Sequence, residues 1–168
     1  MVIVVMGVSG SGKSSLGEAL ALALGADFQE GDAFHPPANL DKLHAGIPLD
    51  DVDRAPWLAR IARWIANEKA LQRTGVVSCS ALKRRYREQL RAAGDDVRFV
   101  YLRVPRDGLR RRLEGRRHFM SPALLDSQLD TLEEPRGEPG VLTVDGAHAI
   151  ESIVAEVRDW LASGPSAP

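Results

Sequence analysis

Lys13 and Ser14 close the run Gly7-Val8-Ser9-Gly10-Ser11-Gly12-Lys13-Ser14, which has the spacing G-x-x-x-x-G-K-[ST]. Glycines so placed let a backbone turn its N–H groups inward around phosphate oxygens. A lysine at that position reaches β- and γ-phosphates, and a serine hydroxyl after it ligates Mg²⁺. The context agrees with the motif. Val2-Ile3-Val4-Val5-Met6 is an apolar, β-branched run that reads as a strand buried on both faces. After the loop, Leu16, Leu20 and Leu24 with Ala19 and Ala23 recur at helical spacing, and Gly25 is a suitable stop. A helix start there adds partial positive charge beside the phosphates. The run, with Ser15 behind it, is expected to bind a nucleoside triphosphate.

A second set of chemical groups follows. Glu30 and Asp32 flank Gly31, one carboxylate able to face Mg²⁺ and the other to accept a hydroxyl proton, with His35 close behind. Taken alone, such a pair is a solvated loop, and a histidine is more often a structural hydrogen-bonder; the phosphate loop is what lends them weight. To position them, the chain alternates strand and helix. Asp27 to Glu30 is a short second strand, Pro36 and Pro37 open a helix to about His44, and Pro48 closes it. A longer helix carries Trp57, Ile61, Trp64, Ile65 and Leu71 as an apolar stripe, the tryptophans read as packing residues. Val76 to Ser80, Val97 to Leu102 and Val141 to Asp145 are further strands. A last amphipathic helix bears Ile150, Ile153, Val154, Val157 and Leu161. Five strands separated by helices predict an α/β fold, a parallel sheet with helices on both faces. Chemistry then belongs at the carboxyl ends of the strands, which selects 7–14, 30–35, 78–83 and Asp145.

Composition sets limits on function. The 168 residues suit one domain, and a formal charge of −1 argues against a broad nucleic-acid footprint. The single cysteine, Cys79, excludes an intrachain disulfide and fits a reducing compartment. No signal-peptide pattern precedes Val2 and no apolar run is long enough to span a bilayer, so a cytoplasmic protein without membrane partners is expected. Only four of the 22 basic residues are Lys, a bias that composition alone can produce outside the motifs.

Longer stretches carry a family resemblance. The run from Gly31 to Asn39 (Gly-Asp-Ala-Phe-His-Pro-Pro-Ala-Asn), Lys42, and the run from Gly46 to Leu58 resemble the gluconokinase signature. So do Cys79 to Arg87, Leu90-Arg91, His118-Phe119, Leu124-Leu125, Ser127-Gln128-Leu129 and Thr131-Leu132-Glu133. With the phosphate loop these motifs cover nearly the whole chain. The resemblance implies a P-loop NTPase fold like that of shikimate and nucleoside monophosphate kinases, and transfer of the ATP γ-phosphoryl group to the 6-hydroxyl of D-gluconate with Mg²⁺. It also implies a homodimer. Alternatives are a kinase for another small hydroxy acid or a nucleoside monophosphate, and a nucleotide-binding module without turnover.

Roles follow from substrate chemistry. ATP binding falls to Gly7, Val8, Ser9, Gly10, Ser11, Gly12, Lys13, Ser14 and Ser15, and Mg²⁺ to Ser14 and Glu30. A linear polyhydroxy acid needs a cation for its carboxylate and hydrogen-bonding groups for its hydroxyls, which a substrate-binding segment of about 32–58 supplies. Asp32 is the expected acceptor of the 6-hydroxyl proton, with His35 and Asn39 orienting hydroxyls. Arg54, Lys83 and Arg87 are candidates for the carboxylate, unless they serve as salt bridges to Asp50, Asp51 or Asp53. Arg116 and Arg117, followed by His118 on the substrate side, fall in an expected lid of about 115–122 hinged at Gly115. One of the two arginines would close on the transferring phosphoryl group. The sequence has one residue fewer before the His-Phe pair than the family pattern, which leaves open which arginine points inward. Arg110 and Arg111 read as a solvated helix face. Arg136 to Gly140 and the strand end at Asp145-Gly146 are expected to border the adenine, by analogy of fold.

Overall fold

The computed structural model describes residues 1–94, 96–114 and 122–164. Five strands, β1 (Val2–Met6), β2 (Asp27–Gln29), β3 (Gly75–Ser78), β4 (Val97–Arg103) and β5 (Val141–Asp145), form one sheet in the order β2-β3-β1-β4-β5. Every pairing is parallel, with Val4 opposite Val77 on one side and Phe99 on the other. The helices are α1 (Lys13–Leu24), α2 (Pro37–His44), α3 (Asp51–Ala70), α4 (Arg84–Arg91), α5 (Arg106–Glu114), α6 (Pro122–Thr131) and α7 (Ile150–Ala162).

Side chains alternate across a strand, so β1 feeds two cores at once. Val2, Val4 and Met6 pack with Trp57, Ile61 and Ile65 of α3 and Tyr86 and Leu90 of α4. Ile3 and Val5 pack on the other face with Leu16 and Leu20 of α1 and Ile153 and Val157 of α7. The sheet is thus the doubly wound layer expected from the sequence, and β1 lies where successive connections turn to opposite sides. Such a switch point opens a crevice beyond the carboxyl ends of the strands. A third apolar cluster, Val8 with Leu82, Leu109 and Leu125, packs α5 and α6 against the loop that leaves β1.

Some element edges differ from expectation. β2 stops at Gln29, and Gly31–Phe34 form a 3₁₀ turn instead of a loop. That turn lies so close to β3 that a Cβ on Gly31 would meet the Ser78 carbonyl oxygen at 1.8 Å, which only glycine avoids. β3 ends at Ser78, two residues early, because the chain turns away through Ala81 at φ 44°. Leu71 caps α3 and is exposed, and Ala21, not Ala23, completes the buried stripe of α1. Among the described residues no helix is long and apolar enough to cross a membrane.

Candidate active site

The phosphate loop joins β1 to α1, with Gly12 at the helix start in the left-handed region at φ 105°. Helix α1 begins at Lys13, so its first unpaired N–H groups belong to the motif itself. Lys13 Nζ donates to the Val8 carbonyl at 3.1 Å. Ser14 and Ser15 are exposed. The Ser11 hydroxyl is buried and has no hydrogen-bond partner among the described residues, a costly state that a bound anion nearby can relieve.

Two cavities share this loop. One, of about 310 Å³, is lined by Gly10, Ser11, Gly12 and Ser15 together with Leu102, Arg112, Gly146 and His148, and its size falls within the usual range for small-molecule sites. Arg112 stitches its walls together, donating to the Ser11 carbonyl at 2.8 Å and the Gly146 carbonyl at 2.5 Å. Gly146 lines this cavity and Asp145 does not. Nor do residues 136–140. They precede β5, and in a parallel sheet the segment entering a strand lies at the end opposite the phosphate loop. There Gly137 to Gly140 line a different cavity with Met1, Arg98 and Trp160.

The other cavity is the cleft over the carboxyl ends of β1 and β3. Ser9 and Lys13 form its phosphate side; Asp32 and His35 come from the turn after β2, and Arg54 and Trp57 from α3. Ser80 and, from α6, Leu124, Ser127 and Gln128 complete it. The first turn of α3 is held by a capping box: Asp53 N–H donates to Asp50 Oδ1 at 2.8 Å and Asp50 N–H to Asp53 Oδ2 at 3.1 Å. Lys42 also binds the Asp53 carboxylate, at 2.6 and 2.7 Å, holding its pKa below the usual carboxylate range. Arg54 follows directly, buried, its guanidinium 5.9 Å from the centre of the Tyr86 ring and without an ion-pair partner among the described residues.

Of the three candidate carboxylate-binding cations, Arg54 lines this cleft and the other two are committed elsewhere. Lys83 donates to both Asp51 oxygens at 3.0 and 3.1 Å. Asp51 also receives Arg85 and the Tyr86 hydroxyl, and these partners, Arg85 foremost, keep its carboxyl ionised far below the usual range. Arg87 is fully buried and spans Glu138, at 2.9 and 2.5 Å, and the carbonyls of Ala81 and Leu82, at 2.9 and 3.1 Å. It ties α4 to the segment before β5 and is not available to a substrate. Glu30 is likewise outside the cleft: its carboxylate accepts from the Ser78 hydroxyl, whose oxygen also accepts from Gly31 N–H at 3.0 Å.

Asp32 is largely exposed, with its Oδ1 3.8 Å from His35 Nε2. The His35 ring stacks on Trp57, centroids 4.4 Å apart and planes 16° apart. Burial lowers the pKa of His35 below the ordinary value; Asp32 opposes that effect and Arg54 adds to it. Asn39 is buried and does not line the cleft. The Cys79 thiol beneath the site is pushed up to about 12 by burial and is inert there. Arg116, Arg117 and His118 lie outside the described residues, as does nearly all of the expected lid.

Trp57 was not legible as a site residue. An aromatic on an apolar helical stripe looks like core, yet its indole Nε1–H donates to the Gly31 carbonyl at 2.8 Å and so fixes the turn that carries Asp32. Gln128 and Arg112 gave no local signal beyond the motif containing the first.

Two cavities lie on either side of one phosphate loop, with a carboxylate and a buried arginine in the second, an arrangement that suits a small phosphotransferase. The family model described as shikimate kinase matches residues 9–138. The gluconokinase of Gluconobacter oxydans is 48% identical over 92% of this chain and 88% of its own, and the thermoresistant gluconokinase of Escherichia coli 41% over 97% and 94%. The crystal structure of a gluconokinase from Sinorhizobium meliloti superposes with a TM-score of 0.89 at 51% identity, covering 96% of this chain and 91% of that one. The chain belongs to the gluconokinase family, a group of ATP-dependent kinases with the shikimate kinase-like P-loop fold.

Proposed function

We propose that this kinase phosphorylates D-gluconate at its 6-hydroxyl, giving 6-phosphogluconate and ADP. The observation carrying this reading is Arg54, a buried arginine with no anionic partner among the described residues, in the same cleft as Asp32 and Lys13. A substrate carboxylate satisfies that guanidinium, and a bidentate arginine–carboxylate contact orients a flexible chain. Asp32 takes the proton of the 6-hydroxyl as its oxygen bonds to the γ-phosphorus and the bond from phosphorus to the ADP oxygen breaks. Lys13 and the loop amides face the charge that spreads over the transferring group. The Ser14 hydroxyl offers a hard cation an oxygen ligand, and Mg²⁺ held by it and by phosphate oxygens would neutralise charge on the β- and γ-phosphates, whereas Glu30, the other expected ligand, is engaged by Ser78. No cluster of three or more His, Cys, Asp or Glu among the described residues makes a metal cage by itself, as fits a metal that arrives with the nucleotide. A nucleoside monophosphate fits less well, because the Trp57 face in the cleft is already covered by His35.

The test is an ATP-consumption assay over gluconate, glucose, shikimate and nucleoside monophosphates, with the phosphorylated product identified. Gluconate is expected to be phosphorylated at O6 and glucose to be a very poor substrate, since it leaves Arg54 unpaired. Comparable specificity constants for the two would overturn the assignment.

A further inference from the structure

Asn39, on α2, and His35, in the extended backbone before it, are hydrogen-bonded side chain to side chain, and their bonding decides where a proton resides. Asn39 Nδ2 lies 2.8 Å from the Asp53 carbonyl oxygen and 3.2 Å from His35 Nδ1. A backbone carbonyl can only accept, so the Asn39 atom facing it is the amide nitrogen, and the amide orientation follows without reference to the histidine. That nitrogen has a second hydrogen for His35 Nδ1, which must therefore accept. A neutral imidazole accepting at Nδ1 carries its proton on Nε2. The ring cannot readily swing away, being buried and stacked on Trp57. Asp53, the anchor for Asn39, is itself held by Lys42 and the capping box.

We propose that Asn39 is a positioning residue that locks His35 in the Nε2–H tautomer, so that His35 offers the acceptor cleft a hydrogen-bond donor and not a base. The proposal rests on the acceptor-site reading above. At 3.8 Å, Nε2 and Asp32 Oδ1 are too far apart for a direct hydrogen bond. One hydroxyl oxygen between them completes the arrangement. It donates its hydrogen to Asp32 and accepts Nε2–H with one lone pair, leaving the other for phosphorus. The nucleophile is then held by two bonds of opposite sense, and the proton it loses has one destination, Asp32. His35 cannot replace Asp32 as proton acceptor, because its Nδ1 lone pair is engaged by Asn39 and its Nε2 is already protonated.

The experiment uses the full chain with ¹⁵N-labelled histidine. Long-range ¹H–¹⁵N spectra at neutral pH are expected to show a bare Nδ1 and a protonated Nε2 for His35, assigned by loss of the signals in His35→Gln. Asn39→Asp places an acceptor where the donor was, so Nδ1 should become protonated. The kcat should then drop about tenfold, the order expected for one disordered hydrogen bond, with KM for ATP changing much less. Since a second oxygen beside the Asp53 carbonyl can disturb folding, a parallel pair tests the donor directly. His35→Leu should lower kcat by a similar factor, and His35→Gln, whose amide restores an N–H near Nε2, should recover most of that loss. A proton on Nδ1 in the unmodified protein, or His35→Gln no better than His35→Leu, overturns the proposal. The nitrogen spectrum needs no substrate, so it decides the tautomer even if gluconate proves not to be the acceptor.

Discussion

Ser9 and Gln128 are joined twice: the Ser9 backbone N–H donates to Gln128 Oε1 at 2.7 Å, and Gln128 Nε2 donates to the Ser9 hydroxyl at 3.0 Å. The pair connects residues 119 apart in sequence and fastens α6 to the phosphate loop. Leu125 reinforces it by packing with Val8 beneath the loop. One face of α6 also lines the cleft that holds Asp32 and Arg54 through Leu124, Ser127 and Gln128. The wall of that cleft and the phosphate loop are therefore mechanically one unit.

Gln128→Leu keeps the bulk and removes both bonds. Stability should fall by about 1–3 kcal/mol, the cost of leaving partly buried polar groups unpaired, and KM for gluconate should rise more than KM for ATP. Denaturant unfolding and steady-state kinetics measure the two effects. A variant with unchanged stability and unchanged KM for gluconate would show that the contact is incidental.

The three candidate cations separate by one set of substitutions. Arg54→Ala should raise KM for gluconate about 10- to 100-fold, as expected for a lost charge-assisted hydrogen bond of about 1.5–3 kcal/mol. Lys83→Ala should change it little, because its charge already answers Asp51. Arg87→Ala should act on folding: removing one partner of a buried ion pair costs about 3–5 kcal/mol, and the denaturation midpoint, not KM, should report it. A strong KM effect from Lys83→Ala with none from Arg54→Ala would reverse the assignment.

These contrasts show what was readable in the chain and what was not. The phosphate loop and β1 announce themselves because motif, apolar run and helix are contiguous, and the bounds of β5 agree with the structure to the residue. Arg87 could not be assigned, since its partner Glu138 lies 51 residues onward and nothing local distinguishes a buried arginine from a surface one. Trp57 was obscured because helical periodicity reports the buried ring but not the bond made by its N–H. Residues 136–140 were misplaced for a different reason. The analogy of fold set them beside the adenine, but strand polarity puts what precedes β5 at the far end of the sheet, and that much follows from a parallel arrangement alone.

Lys13 and Asp32 face each other's chemistry across the cleft and should fail differently. Lys13→Met removes the charge that answers the β- and γ-phosphates while leaving β1 and α1 packed, so turnover should collapse with unfolding unchanged. Asp32→Asn retains shape and loses basicity. Its turnover should fall by about two powers of ten, the lower end for general-base assistance, since a loose transition state asks little of a base. ATP affinity, measured by calorimetry, should be nearly unaffected by Asp32→Asn. Normal turnover in that variant would remove Asp32 from the proton path.

His35 should leave a mark on stability as a function of pH. Burial depresses its pKa below the ordinary value of 6.5 despite the opposing Asp32 charge. As pH falls below about 6.5 the unfolded chain takes up a proton that the folded protein still refuses, so in that window the unfolded state binds more protons and stability rises with pH. The contribution is complete above about 6.5 and is lost as pH falls toward the folded pKa. The carboxylates cannot mimic this, because Asp51 and Asp53 are depressed and lose their share only in more acidic solution. Denaturant unfolding of the unmodified protein and His35→Gln, compared from about pH 7.5 to about pH 5, should therefore give converging curves, with the unmodified protein losing more stability as the solution acidifies. Parallel curves would mean that His35 titrates alike folded and unfolded, and that its burial against Trp57 does not hold it neutral.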